Sequence, residues 1–214
     1  MCNYRLHIDL EQEAALTTST SRELIAVLQM TLDGKILDAD GGSDWVDSWA
    51  DGLELLPRVD GFILGGGMFS GYQQFWAEML ADTAAVVEIL GRDPYPRELA
   101  YAETAAQTEH LVLSTTLADV TWPSARLVRS LEEIHAFKQD GRGTVYVAGG
   151  PTLITSLLEA GLLDELRLII HPILVGAGRS ISGVLDSPQR LELAAVEPAA
   201  AGRVTLTYRL PRVR

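Results

Sequence analysis

The segment that decides the fold is Val145-Tyr146-Val147-Ala148-Gly149-Gly150-Pro151-Thr152-Leu153. Its apolar start predicts a strand, and Pro151 suits the first position of a following helix, where its missing N–H loses no partner. Two glycines without Cβ atoms let a bulky ligand approach the backbone closely. The helix N-terminus attracts phosphate through its free N–H groups and its dipole. Tight packing of the strand on the helix explains the same pattern without a ligand.

Strands and helices alternate along the rest of the chain. Short apolar runs predict further strands at Leu24–Leu28, Gly61–Leu64, Leu111–Leu113 and Leu166–Ile170. Strands that alternate with helices predict a mostly parallel sheet with helices on both faces. Two segments that alternate apolar and polar residues, Leu191–Val196 and Val204–Tyr208, predict an antiparallel C-terminal edge.

Capping residues and apolar spacing predict the helices. One helix is expected from Ser43 or Asp44 to about Leu56, where Pro57 would end it. A second is expected within Tyr72–Leu90, and Ser130 with Glu133 forms a capping-box signature for a third. Residues 91–108 contain Pro94 and Pro96 and are expected to form a long loop.

Composition predicts one folded cytoplasmic domain, residues 22–214, behind a polar lead-in, residues 1–21. The length of 214 residues suits a single domain. No apolar run reaches the ~18 residues of a transmembrane helix, and the first twenty residues lack the regions of a signal peptide. Cys2 is the only cysteine, which fits a reducing compartment.

The net charge of −12 is concentrated in the first half of the chain. Residues 1–107 carry 18 acidic and 6 basic side chains, whereas residues 108–214 carry 11 of each. Nucleic-acid binding rests largely on neutralised phosphates, so no nucleic-acid partner is expected. Basic groups that can meet an anionic ligand lie mostly in the second half. The acidic half also fits a solvated surface that aids solubility.

Two further glycine runs follow predicted strands. Gly65-Gly66-Gly67 closes the second strand, and Gly176-Ala177-Gly178 follows Pro172–Val175. Successive glycines increase the entropy lost on folding. A ligand at the carboxyl ends of the strands explains their presence, because open α/β sheets bind ligands there. A flexible loop in the first case and a turn in the second explain them as well.

Acidic and aromatic side chains near the first strand are candidates for chemistry. Asp33 follows that strand, and a carboxyl group there can donate or orient a proton while a C=N or C=O bond is reduced. Trp45 can cover a flat ring, and Asp44 lies beside it. Asp33-Gly34 is also an ordinary turn, and Asp44 an ordinary helix cap.

Several chemistries are not expected. The four histidines and the single cysteine show no metal-ligand spacing, so no metal site is predicted. The sequence has neither the Gly-x-Ser-x-Gly elbow of nucleophilic hydrolases nor the phosphate-binding Gly-x-x-x-x-Gly-Lys motif. His171, at the end of an apolar strand, is interpreted as a buried histidine with a satisfied hydrogen bond rather than a catalytic one.

Seven short segments, taken in order, resemble the dihydrofolate-reductase-like family, and in particular the reductase domain of bacterial riboflavin biosynthesis. The segments are Met30–Ile36, Asp60–Gly65 with Gly71-Tyr72 and Trp76, His110–Leu117, Trp122–Ala125, Gly149-Gly150, Gly161–Leu166 and Pro172–Gly178. The resemblance implies a three-layer α/β fold with a mostly parallel sheet and helices on both faces. It also implies NADPH as hydride donor, a small-molecule substrate and a homodimer.

The same resemblance implies roles for individual residues. Those expected to contact the cofactor are Gly65, Gly66, Ser114, Thr115, Gly149, Gly150, Thr152, Leu153 and Gly176. Within this set, Gly149 to Leu153 would lie at the pyrophosphate, Ser114 and Thr115 near the adenosine ribose, and Gly176 on the nicotinamide side. Asp33 would be catalytic, and Asp44 and Trp45 would face the substrate.

Two departures from the family pattern concern charge. Where many relatives have Gly-Arg-x-Thr-Tyr, this chain has Gly65-Gly66-Gly67-Met68-Phe69, so an arginine that would meet cofactor phosphate is absent. Arg126, Arg129 and Arg179 are candidates to replace it. Residues 47–56 carry acids in place of the basic residues that hold a phosphoribosyl group, which favours a neutral or cationic substrate.

Three functions remain open at this point. The first is an NADPH-dependent reductase of a pteridine-like or pyrimidine-like ring. The second is the riboflavin-pathway 5-amino-6-(5-phosphoribosylamino)uracil reductase. The third is a non-catalytic ligand-binding protein on the same fold, because fold alone does not decide function.

Overall fold

The computed structural model describes residues 21–54, 59–181 and 185–211, so the predicted lead-in lies outside the described residues except for Ser21. The strands are β1 (Glu23–Thr31), β2 (Lys35–Asp38), β3 (Gly61–Gly65), β4 (His110–Leu113), β5 (Ala125–Val128), β6 (Thr144–Val147), β7 (Glu165–His171), β8 (Gly178–Ser180), β9 (Glu192–Pro198) and β10 (Val204–Arg209). The helices are α1 (Asp51–Glu54), α2 (Gly66–Ala81), α3 (Thr83–Leu90), α4 (Pro96–Gln107), α5 (Leu131–Gln139) and α6 (Pro151–Glu159).

Eight strands form one sheet in the order β5-β4-β3-β6-β1-β7-β10-β9, and β2 pairs with β8 in a separate ribbon. β1 lies between β6 and β7 and is parallel to both. β3, β4, β5 and β6 are also mutually parallel. β10 runs antiparallel to both β7 and β9. The predicted mostly parallel sheet with an antiparallel C-terminal edge is therefore confirmed.

Helices cover both faces of this sheet, because alternate residues of β1 point to opposite sides. Leu24, Ala26 and Leu28 belong to a core with α5 and α6. Ile25 and Val27 belong to a second core with side chains from α1, α2, α3 and α4. The three-layer arrangement predicted from the alternation of strands and helices is confirmed, and it leaves the carboxyl ends of six parallel strands along one edge.

The prediction of a long loop over residues 91–108 is wrong, since α4 occupies most of that segment. Pro96 stands at the first helical position, where proline starts a helix instead of breaking it. The Glu98 carboxylate accepts a hydrogen bond from the Tyr95 backbone N–H at 2.8 Å and completes the cap. Tyr101 and Ala105 then bury the inner face of the helix.

The predicted helix from Ser43 or Asp44 is also wrong over most of its length. Residues 43–50 form turns, α1 begins only at Asp51, and Leu55 and Leu56 lie outside the described residues. Tertiary contacts outweigh helix propensity here: Gln29 Nε2 donates to the Ser48 carbonyl at 2.8 Å.

The segment Tyr72–Leu90 is divided between two helices. α2 ends at Ala81, and α3 begins at Thr83. Asp82 caps α3, because its carboxylate accepts from the Ala85 N–H at 3.3 Å. The apolar spacing alone predicts one helix, but the cap at Asp82 divides the segment into two.

His110 lies in a buried aromatic cluster on the α2–α4 face. Its ring stacks on Phe62 with centroids 4.5 Å apart. Nδ1 lies 2.8 Å from the Thr108 carbonyl, which can only accept, so Nδ1 carries the proton. Nε2 then accepts from the Tyr72 hydroxyl at 3.1 Å. Burial of this neutral ring lowers the pKa of His110 from 6.5 to about 4.

This buried histidine makes the stability of the fold depend on pH. The unfolded chain takes up a proton near pH 6.5 and the folded protein only near pH 4, so acidification across that interval favours unfolding. We expect His110 to lower the free energy of unfolding by roughly 3 kcal/mol between pH 7 and pH 4. Urea unfolding across this range should show a shallower pH dependence in His110→Gln. The control variant His135→Gln, at an exposed position, should keep the pH dependence of the wild type. If His110→Gln also kept it, His110 would not be the source of the pH dependence.

Candidate active site

The candidate site lies at the carboxyl ends of β3 and β6, where the topology of the sheet predicts a crevice. These strands are parallel neighbours, and the Ala148 N–H donates to the Ile63 carbonyl at 3.0 Å. α2 follows β3 directly and packs on one face of the sheet, whereas α6 follows β6 and packs on the other. Where neighbouring strands lead to opposite faces, a crevice opens at the sheet edge. The two glycine runs, Gly65–Gly67 and Gly149-Gly150, line its two sides.

Two helix N-termini meet at this crevice without side-chain caps. Gly65 is the N-cap of α2 and Gly150 the N-cap of α6, and neither helix has an acidic residue in its first turn. The N-cap residues of both helices therefore supply no side-chain cap to the first N–H groups. Together with the helix dipoles, these N–H groups favour a negatively charged group between them.

The glycines of the crevice serve different purposes. A Cβ on Gly66 would lie 2.5 Å from Ser114 Cβ, and one on Gly149 would lie 2.4 Å from Leu153 Cδ2, so packing requires both of these glycines. A Cβ on Gly67 or Gly150 would meet nothing within 4 Å. Gly150 therefore leaves open space beside the α6 N-terminus, of the kind that a ligand can fill.

Asp33 holds the loop that contains Gly176, the residue expected on the nicotinamide side. Its carboxylate accepts from the Thr31 hydroxyl at 2.6 Å and from the Gly176 N–H at 2.7 Å. A longer bond of 3.3 Å comes from the Val175 N–H. The Thr31 hydroxyl, followed by these backbone N–H groups, holds the pKa of Asp33 below its usual value. The side chain is therefore a carboxylate at neutral pH and anchors the loop that contains Gly176.

The glycines of that loop also differ. Gly176 adopts a φ of 73°, in the left-handed region, and a Cβ there would meet nothing within 4 Å. A Cβ on Gly178 would lie 2.2 Å from the Leu37 carbonyl oxygen, because β8 pairs closely with β2. Only Gly176 therefore leaves space for a ligand.

Asp44 and Trp45 lie on the turns before α1. Asp44 is exposed and Trp45 is half-buried. The Trp45 Nε1 atom is buried and has no hydrogen-bond partner in the described chain. The described contacts do not join either residue to Asp33. The structure thus brings Asp33 and Gly176 together but leaves the substrate roles of Asp44 and Trp45 as predictions.

Sequence reasoning missed a buried polar chain behind this region. The Gln29 Oε1 atom accepts from His171 Nε2 at 2.8 Å, and the Gln29 amide also holds the Ser48 carbonyl. A glutamine inside the apolar run of β1 was the available signal, since a buried amide requires partners. The expectation that His171 is a buried histidine with a satisfied hydrogen bond is confirmed, and burial lowers its pKa.

Ser114 and Thr115 belong to a turn after β4. The Ser114 hydroxyl oxygen accepts from the Thr116 and Leu117 N–H groups at 3.2 and 3.0 Å. Thr115 is exposed. The close approach of Gly66 to Ser114 joins this turn to the start of α2, so the predicted ribose side and the first glycine run form one surface.

The three candidate arginines lie in different places. Arg126 forms an ion pair with Glu109 at 2.7 Å, before the start of β4. Arg179, on β8, places Nη2 3.5 Å from the Thr152 hydroxyl at the first turn of α6. Arg129 follows β5 and donates to backbone carbonyls of the turn that begins at Ser114. Arg179 and Arg129 thus lie at the carboxyl edge of the sheet, where the crevice opens.

No cluster of three or more histidine, cysteine, aspartate or glutamate side chains that could hold a metal ion is present among the described residues. No helix in the described part of the chain is long and apolar enough to cross a membrane.

The fold and the crevice define a dihydrofolate-reductase-like α/β domain. Residues 22–205 match the RibD C-terminal domain family, and the chain belongs to that family. It is 26% identical over 192 residues to the uncharacterized protein YyaP of Bacillus subtilis (strain 168), an alignment that covers 87% of this chain and 94% of YyaP.

Solved structures of low sequence identity share the fold. The Thermotoga maritima diaminohydroxyphosphoribosylaminopyrimidine deaminase/5-amino-6-(5-phosphoribosylamino)uracil reductase superposes with a TM-score of 0.61 at 18% identity, covering 94% of this chain and 60% of that one. Enterococcus faecalis dihydrofolate reductase, solved with NADP(H), gives a TM-score of 0.55 at 18% identity, covering 89% and 98%. At these identities the likeness concerns the fold alone.

The contrast between Gly66 and Gly67 yields a test of the crevice geometry. The methyl group of Gly66→Ala would overlap Ser114, so we expect a loss of about 1–3 kcal/mol in the free energy of unfolding. Gly67→Ala points into open space and should change it by less than about 0.5 kcal/mol. Chemical denaturation of both variants measures the difference. Equal stability of the two would show that α2 and the Ser114 turn are not in close contact.

Proposed function

We propose that this protein is an NADPH-dependent reductase of a small heterocyclic substrate with a pteridine-like or pyrimidine-like ring. The observation that carries the proposal is the crevice between β3 and β6, where two glycine runs and two uncapped helix N-termini converge. Membership of the RibD C-terminal domain family and the likeness to a dihydrofolate reductase solved with NADP(H) support the same conclusion.

The residues along the crevice fit a dinucleotide. Gly150 leaves open space at the α6 N-terminus, and Arg179 brings a positive charge to the same turn, beside Thr152. We assign the pyrophosphate to this place, with Gly149 and Leu153 forming the wall behind it. Gly65 and Gly66 form the opposite wall, and Ser114 and Thr115 lie on the adenosine side. The missing arginine after β3 is replaced at the pyrophosphate by Arg179.

NADPH, when bound, supplies the hydride. The protein orients the reacting rings, which is its main contribution to such chemistry. Gly176, held by the Asp33 carboxylate, forms the backbone surface on the nicotinamide side. Because Asp33 is a carboxylate occupied by three donors, it positions this loop, and water supplies the proton to the substrate.

The substrate side is less basic than a phosphorylated ligand needs. Asp51 forms ion pairs with Arg97, at 2.7 Å, and with Arg203, while Asp47 pairs with Arg97 at 3.0 Å. Arg97 and Arg203, which reach the segment before and within α1, are thus neutralised by its own acids. A neutral ring beside Asp44 and Trp45 therefore fits better than the phosphoribosyl substrate of the riboflavin-pathway reductase. That reductase and a non-catalytic binding protein are the alternatives that the experiment below distinguishes.

Calorimetric titration with NADPH, and with NADH beside it, tests the proposal. We expect micromolar binding of NADPH by the wild-type protein. Gly150→Leu should abolish binding without unfolding the protein, because its side chain would enter open space and the φ of −74° suits any L-residue. Gly71→Leu, at an exposed position of α2 with nothing within 4 Å of the new Cβ, is the matched control and should bind as the wild type does.

The outcomes separate the three functions. Binding followed by oxidation of NADPH with dihydropterins supports the proposed reductase, whereas oxidation with the phosphoribosylaminopyrimidine alone supports the riboflavin-pathway enzyme. Absence of heat with either nucleotide, in a sample shown to be folded by circular dichroism, overturns the cofactor assignment. If Gly150→Leu binds NADPH with the affinity of the wild type, the nucleotide does not bind beside Gly150.

We also infer a cytoplasmic homodimer, and the edge strand β9 supports the dimer. Its residues are exposed on both sides of the strand, including Leu193 at 57% and Val196 at 55% exposure. Exposed apolar edge strands are sites of association with a further chain. Sedimentation equilibrium should give twice the chain mass of 23.2 kDa. Leu193→Lys should shift the protein towards monomer, and a monomeric wild type at micromolar concentration would contradict the inference.

A further inference from the structure

Arg129 holds the turn after β4 through backbone carbonyls. Its Nη1 donates to the Ser114 carbonyl at 2.8 Å and to the Leu117 carbonyl at 2.6 Å. Its Nη2 donates to the Ala118 carbonyl at 3.4 Å. Carbonyl oxygens fix the guanidinium in place but carry no net charge. Its positive charge is therefore not neutralised by these contacts.

No carboxylate of the described residues forms an ion pair with the Arg129 guanidinium. The acids nearest in sequence are otherwise engaged: Glu133 accepts from the Arg129 backbone N–H at 2.8 Å, and Asp119 accepts from the Val120 N–H at 2.8 Å. Glu132 accepts from the Ser130 hydroxyl, which lowers the pKa of that carboxyl. Within the described chain, Nε and one hydrogen of Nη2 have no acceptor. A guanidinium with two free donors can bind a phosphate in bidentate geometry.

The order of the sheet determines which part of a dinucleotide reaches Arg129. Asp33 and Gly176, which the proposed function assigns to the nicotinamide side, lie at the ends of β1 and β7. β4 lies three strands away from β1 in the order β4-β3-β6-β1, a separation of about 14 Å. A dinucleotide whose pyrophosphate lies at β3 and β6 therefore places its adenosine end at β4 and β5, beside Ser114 and Arg129.

We propose that Arg129 recognises the 2′-phosphate of NADPH and is the residue that makes the protein prefer NADPH to NADH. The inference rests on the proposed function and adds the determinant of cofactor selection to it. The other two arginines are excluded by position, since Arg126 is paired with Glu109 and Arg179 lies at the α6 N-terminus. The 2′-phosphate is the only group by which the two nucleotides differ, so the effect of Arg129 falls on NADPH alone.

Calorimetry with both nucleotides on three proteins tests this assignment. The wild type should bind NADPH more tightly than NADH. Arg129→Gln, which keeps amide donors for the turn, should weaken the binding of NADPH by about ten- to a hundred-fold. The affinity for NADH should stay within about twofold of the wild-type value. Arg126→Gln, three residues earlier on β5, is the matched control and should alter neither affinity. Titration with 2′,5′-ADP and 5′-ADP should reproduce the pattern, because these fragments differ by the same phosphate.

Each contrary result has its own meaning. Equal affinities of the wild type for NADPH and NADH, or an equal loss of both in Arg129→Gln, overturn the role of Arg129 and leave the dinucleotide site standing. Absence of binding by either nucleotide overturns the proposed function itself. If thermal unfolding shows that Arg129→Gln is not folded, Arg129→Lys replaces it. That variant keeps the charge without the planar fork and should retain part of the preference for NADPH.

Discussion

The parallel pairing of β3 with β6 is the constraint on which the candidate site depends. The two strands are separated by about 80 residues of chain, yet the register Phe62↔Tyr146 ends both at one level of the sheet. A helix follows β3 directly and β6 after three residues, and the two helices leave on opposite faces. Neither glycine run would form a cleft without the other. The site is therefore a property of the topology, and the chemistry of its side chains is added to a shape that the backbone already provides.

The fold could be predicted from the sequence where local pattern and tertiary environment agree. The apolar runs of β1, β3, β6 and β7 are buried between two layers, so their composition matches their position. Prediction failed where a local signal had two meanings. Pro96 was interpreted as a breaker although proline also begins helices, and residues 43–50 were expected to be helical although Gln29 holds Ser48 in a turn. The conformation of residues 43–50 is decided by contacts between segments distant in sequence, and no local pattern reveals such contacts.

The location of the candidate site could be predicted from the sequence, but the role of each residue in it could not. Gly149 and Gly150 are equivalent in the sequence, yet Leu153 packs where a Cβ of the first would lie and open space lies beside the second. Asp33 could be identified as a notable acid, but its bonds to the loop around Gly176 connect positions more than 140 residues apart. The arginines present the same difficulty, because charge is visible in a sequence and the partner that neutralises it is not.

The place of β1 has a consequence for the synthesis of the chain. β1 is buried on both faces, and the strands that pair with it, β6 and β7, are made more than 110 residues later. At about 5–20 residues per second, its apolar segment waits on the order of ten seconds on the ribosome before either neighbour exists. The whole net charge of −12 lies within residues 1–107, the part of the chain that waits. Mutual repulsion of these acids opposes association between nascent chains during that interval, so the charge asymmetry protects an unfinished sheet.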